Sequence, residues 1–150
     1  MLEFRSIEDV LKFAIQKEET SYFFYMDLAD GADEETAQLF SEIAQEELKH
    51  RQQLQLEMMK LGRVIDADEK WLERSADYVL EERAPLDFTG AEALKIAITK
   101  EQAAYRLYID LIRVTQNQEI IEAFMIMAEE EIRHKLRFEA AYDNYTRQEY

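Results

Sequence analysis

The chain has 150 residues, 47% of them apolar and 34% charged, and its 33 acidic against 18 basic residues leave a formal net charge of -15. One domain of this length buries roughly 70% of the surface its unfolded form exposes, so a real core is available. The acidic excess excludes a phosphate-backbone reader, which needs clustered Lys and Arg, so no nucleic-acid partner is expected. The absence of cysteine excludes disulfides, thiolate metal sites and a Cys nucleophile.

The opening MLEFRSIEDV lacks the basic-then-apolar layout of a signal peptide, and no run approaches the ~20 apolar residues that span a bilayer. A cytoplasmic protein with no membrane partner is the expectation. Three glycines and one proline in the whole chain are too few for repeated strand turns, which points to helices.

The breakers Gly31, Gly62, Pro85 and Gly90 divide the chain into four long segments and a connector. The first opens at Ser6, with Asp9 at capping-box spacing, and runs to about Ala29, where Gly31 offers a stop. The second runs from about Asp33 to Gly62. The third opens at Thr89 with Glu92 three residues on and reaches about Val114. The fourth starts near Asn117 and continues almost to the C-terminus.

Each segment carries apolar residues at alternating three- and four-residue steps, the period of a helix with one buried face. These are Ile7, Leu11, Ala14, Tyr25 and Leu28, then Phe40, Ile43, Leu54 and Leu61, then Leu94, Ala97, Ala104 and Tyr108, then Phe124, Met127, Phe138 and Ala141. Met125, Met127 and the Met58-Met59 pair read as core filler. Short turns make antiparallel hairpins of 6–62 and 90–149. The crossover 63–89 joins them and includes an amphipathic stretch around Trp71, Leu72 and Val79. The predicted fold is all-α, a single domain over 1–150 built as a four-helix bundle.

The hairpins repeat. Residues 11–28 match 94–111 at ten of eighteen positions, and 40–50 match 124–134 at five of eleven. The chain's two histidines fall at equivalent places, as Glu47-Leu-Lys-His50 and Glu131-Ile-Arg-His134. Residues three apart on a helix share a face, so each pair can address one point. Glu18 and Glu101 occupy equivalent places on the partner helices.

The midpoint between Glu18 and Glu47 falls in the Gly31-Ala32-Asp33 turn, and that between Glu101 and Glu131 falls in Thr115-Gln116-Asn117. Folding at those turns sets each glutamate level with its partner, about 22 Å along the helix. All six residues interrupt apolar stripes, so they occupy core positions. A buried carboxylate without compensation costs several kcal/mol, and four together repel one another unless cations join them.

Four carboxylates and two imidazoles suit two hard or borderline divalent ions, iron or manganese ahead of copper. One Glu from each of two helices and Glu-x-x-His from each of the other two is the donor set of ferritin-like di-metal carboxylate proteins. By symmetry Glu18 with His50 would complete one metal, Glu101 with His134 the other, and Glu47 with Glu131 would bridge.

Around these, Glu19, Glu46 and Glu130 read as solvated neighbours, with Glu46 and Glu130 also placed to orient the opposite histidine through its second ring nitrogen. Tyr25 and Tyr108 follow the helix glutamates by two turns on the same face. They are either partners of a metal-bound carboxylate, electron relays, or core tyrosines whose hydroxyls find an ordinary acceptor.

At these residues the sequence resembles the rubrerythrin-like branch of the ferritin-like di-iron superfamily across essentially the whole chain. The motifs EELKH and EEIRH, with KEETSYFFY and KEQAAYRLY, carry the likeness. The resemblance implies a ferritin-like antiparallel four-helix bundle made of two repeated helical hairpins joined by a long crossover. It also implies a centre of two iron ions, with manganese or zinc as alternatives, reacting with peroxide or dioxygen, in a cytoplasmic homodimer.

Three departures qualify it. Rubrerythrins proper carry a four-cysteine rubredoxin domain, so here the expected reductant is a separate electron-donor protein. They also carry a glutamate three residues after the third-helix ligand, where this chain has Ala104, which weakens a peroxidase assignment. The Glu18-to-Glu47 and Glu101-to-Glu131 spacings are about a turn shorter than in those proteins, as in compact stand-alone relatives. No fifth helix follows, so iron handling would proceed without a cage. A ferroxidase and a non-catalytic metal-binding bundle are the alternatives to an oxidoreductase.

Overall fold

The computed structural model describes residues 4–62 and 90–148. The crossover 63–89, including Thr89 and the stretch around Trp71, lies outside the described residues, so the expectations placed on it are not addressed. Among the described residues there are four helices, α1 (Ile7–Asp30), α2 (Glu34–Lys60), α3 (Gly90–Val114) and α4 (Gln118–Gln148). None is long and apolar enough to cross a membrane.

The helix starts follow from capping. The Asp9 N–H donates to Ser6 Oγ at 3.2 Å, and the Asp9 carboxylate accepts from the Arg5 N–H at 3.3 Å. At α2 the Thr36 N–H donates to Asp33 Oδ1 at 3.3 Å, and at α4 the Ile120 N–H donates to Asn117 Oδ1 at 3.2 Å. Each cap satisfies donors that the first helical turn leaves open.

The stop after α2 is Gly62, whose φ of 74° is the left-handed conformation glycine adopts cheaply. The α1 helix ends at Asp30, but Gly31 is not in that conformation; among the described residues Gly62 alone is. Gly90 opens α3 for a different reason. A Cβ there would lie 2.6 Å from the Tyr145 ring near the far end of α4.

The described residues form two compact units, one of 4–30 and 38–62, the other of 31–37 and 90–148. In the first, Glu18 of α1 meets His50 of α2 at 3.5 Å, and the Tyr25 and Phe40 rings stack with centroids 6.2 Å apart. Contacts that advance along α1 while retreating along α2 define an antiparallel hairpin. In the second unit the same pattern runs from Gly90 with Tyr145, through Glu101 with His134, to Tyr108 with Phe124.

The buried residues of the first unit are chiefly Leu11, Ala14, Ile15, Tyr25, Phe40, Ile43, Leu54 and Met58. Those of the second include Leu94, Ala97, Tyr108, Leu111, Phe124, Met127 and Phe138. A large apolar side chain contributes roughly 1.5–3 kcal/mol when fully buried. The stripes thin at their ends, where Ile7, Leu61 and Ala141 are only part-buried, and Ala104 is part-buried within its stripe.

Two of the methionines read as core are not. Met59 is 64% and Met125 56% exposed, while Met58 and Met127 are fully buried. Consecutive helical residues point about 100° apart, so Met58 and Met59 cannot share the inner face. The same geometry turns Met125 outward once Met127 points in.

Candidate metal centre

In the first unit α1 supplies Glu18 and α2 supplies Glu47 and His50. The Nδ1 of His50 lies 3.5 Å from Glu18 Oε2 and 3.9 Å from Glu47 Oε2. In the second unit α3 supplies Glu101 and α4 supplies Glu131 and His134, with His134 Nδ1 3.6 Å from Glu101 Oε2 and 3.8 Å from Glu131 Oε1. None of the six residues is more than 3% exposed. Six ionisable groups at such depth need strong compensation, because desolvation disfavours every charge.

The donor spacing tests what could compensate them. Neutral hydrogen bonds between nitrogen and oxygen centre on about 2.9–3.0 Å, and these separations are longer. Two donors on one ion, each bonded at roughly 2.0–2.2 Å, stand roughly 3–4.3 Å apart. The observed 3.5–3.9 Å falls inside that interval. Within each triad the ligand atoms all lie within 4.8 Å of one another, so each triad could hold a metal ion. The donors are oxygen and imidazole nitrogen without sulfur, a set for hard or borderline divalent ions.

The neighbouring residues named by the sequence sort differently. Tyr25 is fully buried and stacked at 16° on Phe40; Tyr108 is 1% exposed and tilted 42° against Phe124. Both are core residues by packing. Glu46 and Glu130 are part-buried, one residue before the deeply buried Glu47 and Glu131.

Glu19, read as a solvated neighbour, instead spans to the opposite helix, with its Oε2 3.9 Å from Arg51 Nε and its side chain only 15% exposed. Sequence reasoning missed Arg51. The signal was available: Glu19 and Arg51 directly follow Glu18 and His50, so they sit at one level of the same hairpin.

With this geometry in view, comparison with known proteins is decisive at the family level. The Rubrerythrin family profile matches residues 9–142. The chain belongs to the rubrerythrin family. No curated protein matches it significantly in sequence.

Among solved structures, a dodecameric thioferritin, the bacterioferritin-related protein of Bacteroides fragilis, superposes with a TM-score of 0.79 at 21% identity, covering 99% of this chain and 90% of that one. A hypothetical protein from Methanococcus jannaschii gives 0.74 at 19% identity over 97% and 85% of the two chains. A hypothetical protein from Pyrococcus furiosus gives 0.67 at 19% identity over 93% and 89%. The fold is therefore the ferritin-like four-helix bundle expected from the paired hairpins. The buried Glu and His residues of a rubrerythrin-family chain are in keeping with metal binding.

Proposed function

We propose that this rubrerythrin-family protein is a di-iron carboxylate oxidoreductase acting on peroxide or dioxygen. The observation that carries the reading is the pair of buried Glu, Glu, His triads, one in each repeated hairpin. Glu18, Glu47 and His50 in the first hairpin, and Glu101, Glu131 and His134 in the second, are the residues that would hold the metals, in one domain spanning 1–150. The twofold sequence repeat supports that assignment. Iron is the preferred metal, with manganese and zinc as alternatives.

The bound metals would supply Lewis acidity and redox capacity. The chain's own contribution is legible in its atoms. In both triads it is Nδ1 of the histidine that faces the carboxylates. With metal bound, Nδ1 would be the unprotonated coordinating nitrogen and the ring proton would reside on Nε2. Glu47 and Glu131, each 1% exposed, keep bulk water from the donor atoms and hold negative charge where a cation is needed. Ala104 supplies no further carboxylate at its position of α3.

A chain without cysteine carries no rubredoxin-type iron site of its own, and the reductant is assigned to a separate electron-donor protein. A cytoplasmic homodimer is the proposed setting. A second reading, iron oxidation and handling, is favoured by the bacterioferritin-related neighbour.

Metal analysis of the protein as purified, then stopped-flow mixing of the reduced protein with peroxide and with dioxygen, tests the proposal. Two metals per chain and fast turnover of either oxidant are the expected results. Oxidation of many irons per chain, with native mass showing a large assembly, would favour the second reading. A metal-replete protein inert to both oxidants would leave only a metal-stabilised bundle.

A further inference from the structure

A groove of about 550 Å3 opens on α3, away from the buried donor face. Ile98, Ala103 and Leu107 give it an apolar lining; Gln102, Arg106 and Lys135 of α4 give it a polar rim. Its volume lies in the range of small-molecule sites. Asp110 also borders it but is engaged by Arg113 at 3.7 Å. The groove therefore presents Arg106 beside Lys135, whose ammonium also pairs with Glu139 at 3.5 Å, on a chain whose net charge is -15.

The repeat shows how the second hairpin differs from the first here. Gln102 and Lys135 are the counterparts of Glu19 and Arg51, which reach across the first hairpin to within 3.9 Å of each other. In the second hairpin the carboxylate has become an amide, and Lys135 turns to Glu139 on its own helix at 3.5 Å. The ionic strap is lost, and a groove lies where the second hairpin lacks it.

We propose that this groove binds a small amphiphilic carboxylate. The apolar body would lie on Ile98, Ala103 and Leu107, and the carboxylate between Arg106 and Lys135, where charge-assisted hydrogen bonds are strongest. Gln102 and Lys135 each directly follow a triad residue, Glu101 and His134. Occupancy is thereby coupled to the second triad, a link that rests on the function proposed above; the binding itself does not.

The test titrates octanoate into the full-length protein, metal-free and zinc-loaded, and follows backbone amides by heteronuclear NMR, with octylammonium as the matched control. Saturable octanoate shifts confined to 98–110 and 133–139 are expected, with octylammonium at least roughly tenfold weaker. Arg106→Ala should weaken octanoate by about tenfold. The double variant Gln102→Glu with Lys135→Arg rebuilds the strap and should abolish binding while leaving zinc content unchanged.

Equal binding of the two amphiphiles, shifts elsewhere, or wild-type affinity in the double variant would overturn the proposal. So would sedimentation data in which the double variant dissociates an oligomer, since the groove would then be an interface between copies. Octanoate binding to a protein that takes up no metal would sink the di-iron reading and leave the groove standing.

Discussion

Glu131→Gln separates a metal triad from an ordinary buried polar network, because the two readings differ in the sign of its effect. The substitution keeps the side chain's shape and removes one charge at a position only 1% exposed. Glu101 and Glu131 offer oxygens within 4.8 Å of each other. Two unit charges at that separation repel by about 3 kcal/mol at an effective dielectric near 20. Without metal, the variant should therefore be the more stable protein by up to about 3 kcal/mol, less whatever wild type recovers by protonating one carboxylate.

For about 150 residues this is a rise in Tm of roughly 6–12 °C. With metal at about a thousand times its Kd, wild type gains roughly 4 kcal/mol per site. A variant that no longer binds at one site forfeits that gain but keeps the charge relief, so the net deficit is about 1 kcal/mol and it should melt roughly 2–4 °C below loaded wild type, and further below by whatever wild type recovers through protonation. Calorimetric melts of both proteins in chelator and in excess manganese or zinc read the crossing directly. Destabilisation of equal size in both conditions would refute the reasoning, since Glu131 would then be a hydrogen-bonded core residue with no cation to hold.

Other expectations test single links. His50→Ala and His134→Ala should each lower bound metal by about one ion per chain, measured by elemental analysis on folded, monodisperse protein. Asn117→Ala removes the cap on the Ile120 N–H and should cost about 1 kcal/mol, a fall in Tm of roughly 2–4 °C, with metal content unchanged. Gly90→Ala forces the far end of the Tyr145 side chain to shift, which offsets the roughly 1 kcal/mol that Ala gains over Gly in a helix, so the net change should be small. In a Tyr145→Ala background the same change should be stabilising, so a double-mutant cycle isolates the clash.

Much of the fold was readable because its determinants are local. Ser6, Asp33 and Asn117 cap helices through their own side chains, and Gly62 ends one through its own backbone. The burial of Glu18, Glu47, His50, Glu101, Glu131 and His134 was readable for another reason: each interrupts an apolar stripe, and the same interruption recurs at repeat spacing. What depends on rotation about a helix axis was harder. Met59 and Met125 face out, and Glu19 faces Arg51, because neighbours one or two residues away already occupy the inner face. Composition carries no such angular information. The α3 groove was hidden for another reason: it is a surface shape made by eight side chains of α3 and α4, which no local pattern marks.

The duplication also shows what sets the phase of the triad in each hairpin. Glu18 and Glu101 lie at the same position counted from the starts of α1 and α3, and the Glu-x-x-His pairs at the same position from the starts of α2 and α4. The glutamate-to-glutamate spacings nonetheless differ by one residue, Glu101 to Glu131 being the longer. That extra residue falls at the end of α3, beyond Leu111, the last buried residue of that helix. Placed between Glu101 and Leu111, it would rotate one relative to the other by about 100° and pull the carboxylate off the inner face. At the helix end it alters only the approach to the turn, and the Asn117 cap restarts the phase of α4 independently of what precedes it. Helix starts therefore set the phase of the triad residues in this protein.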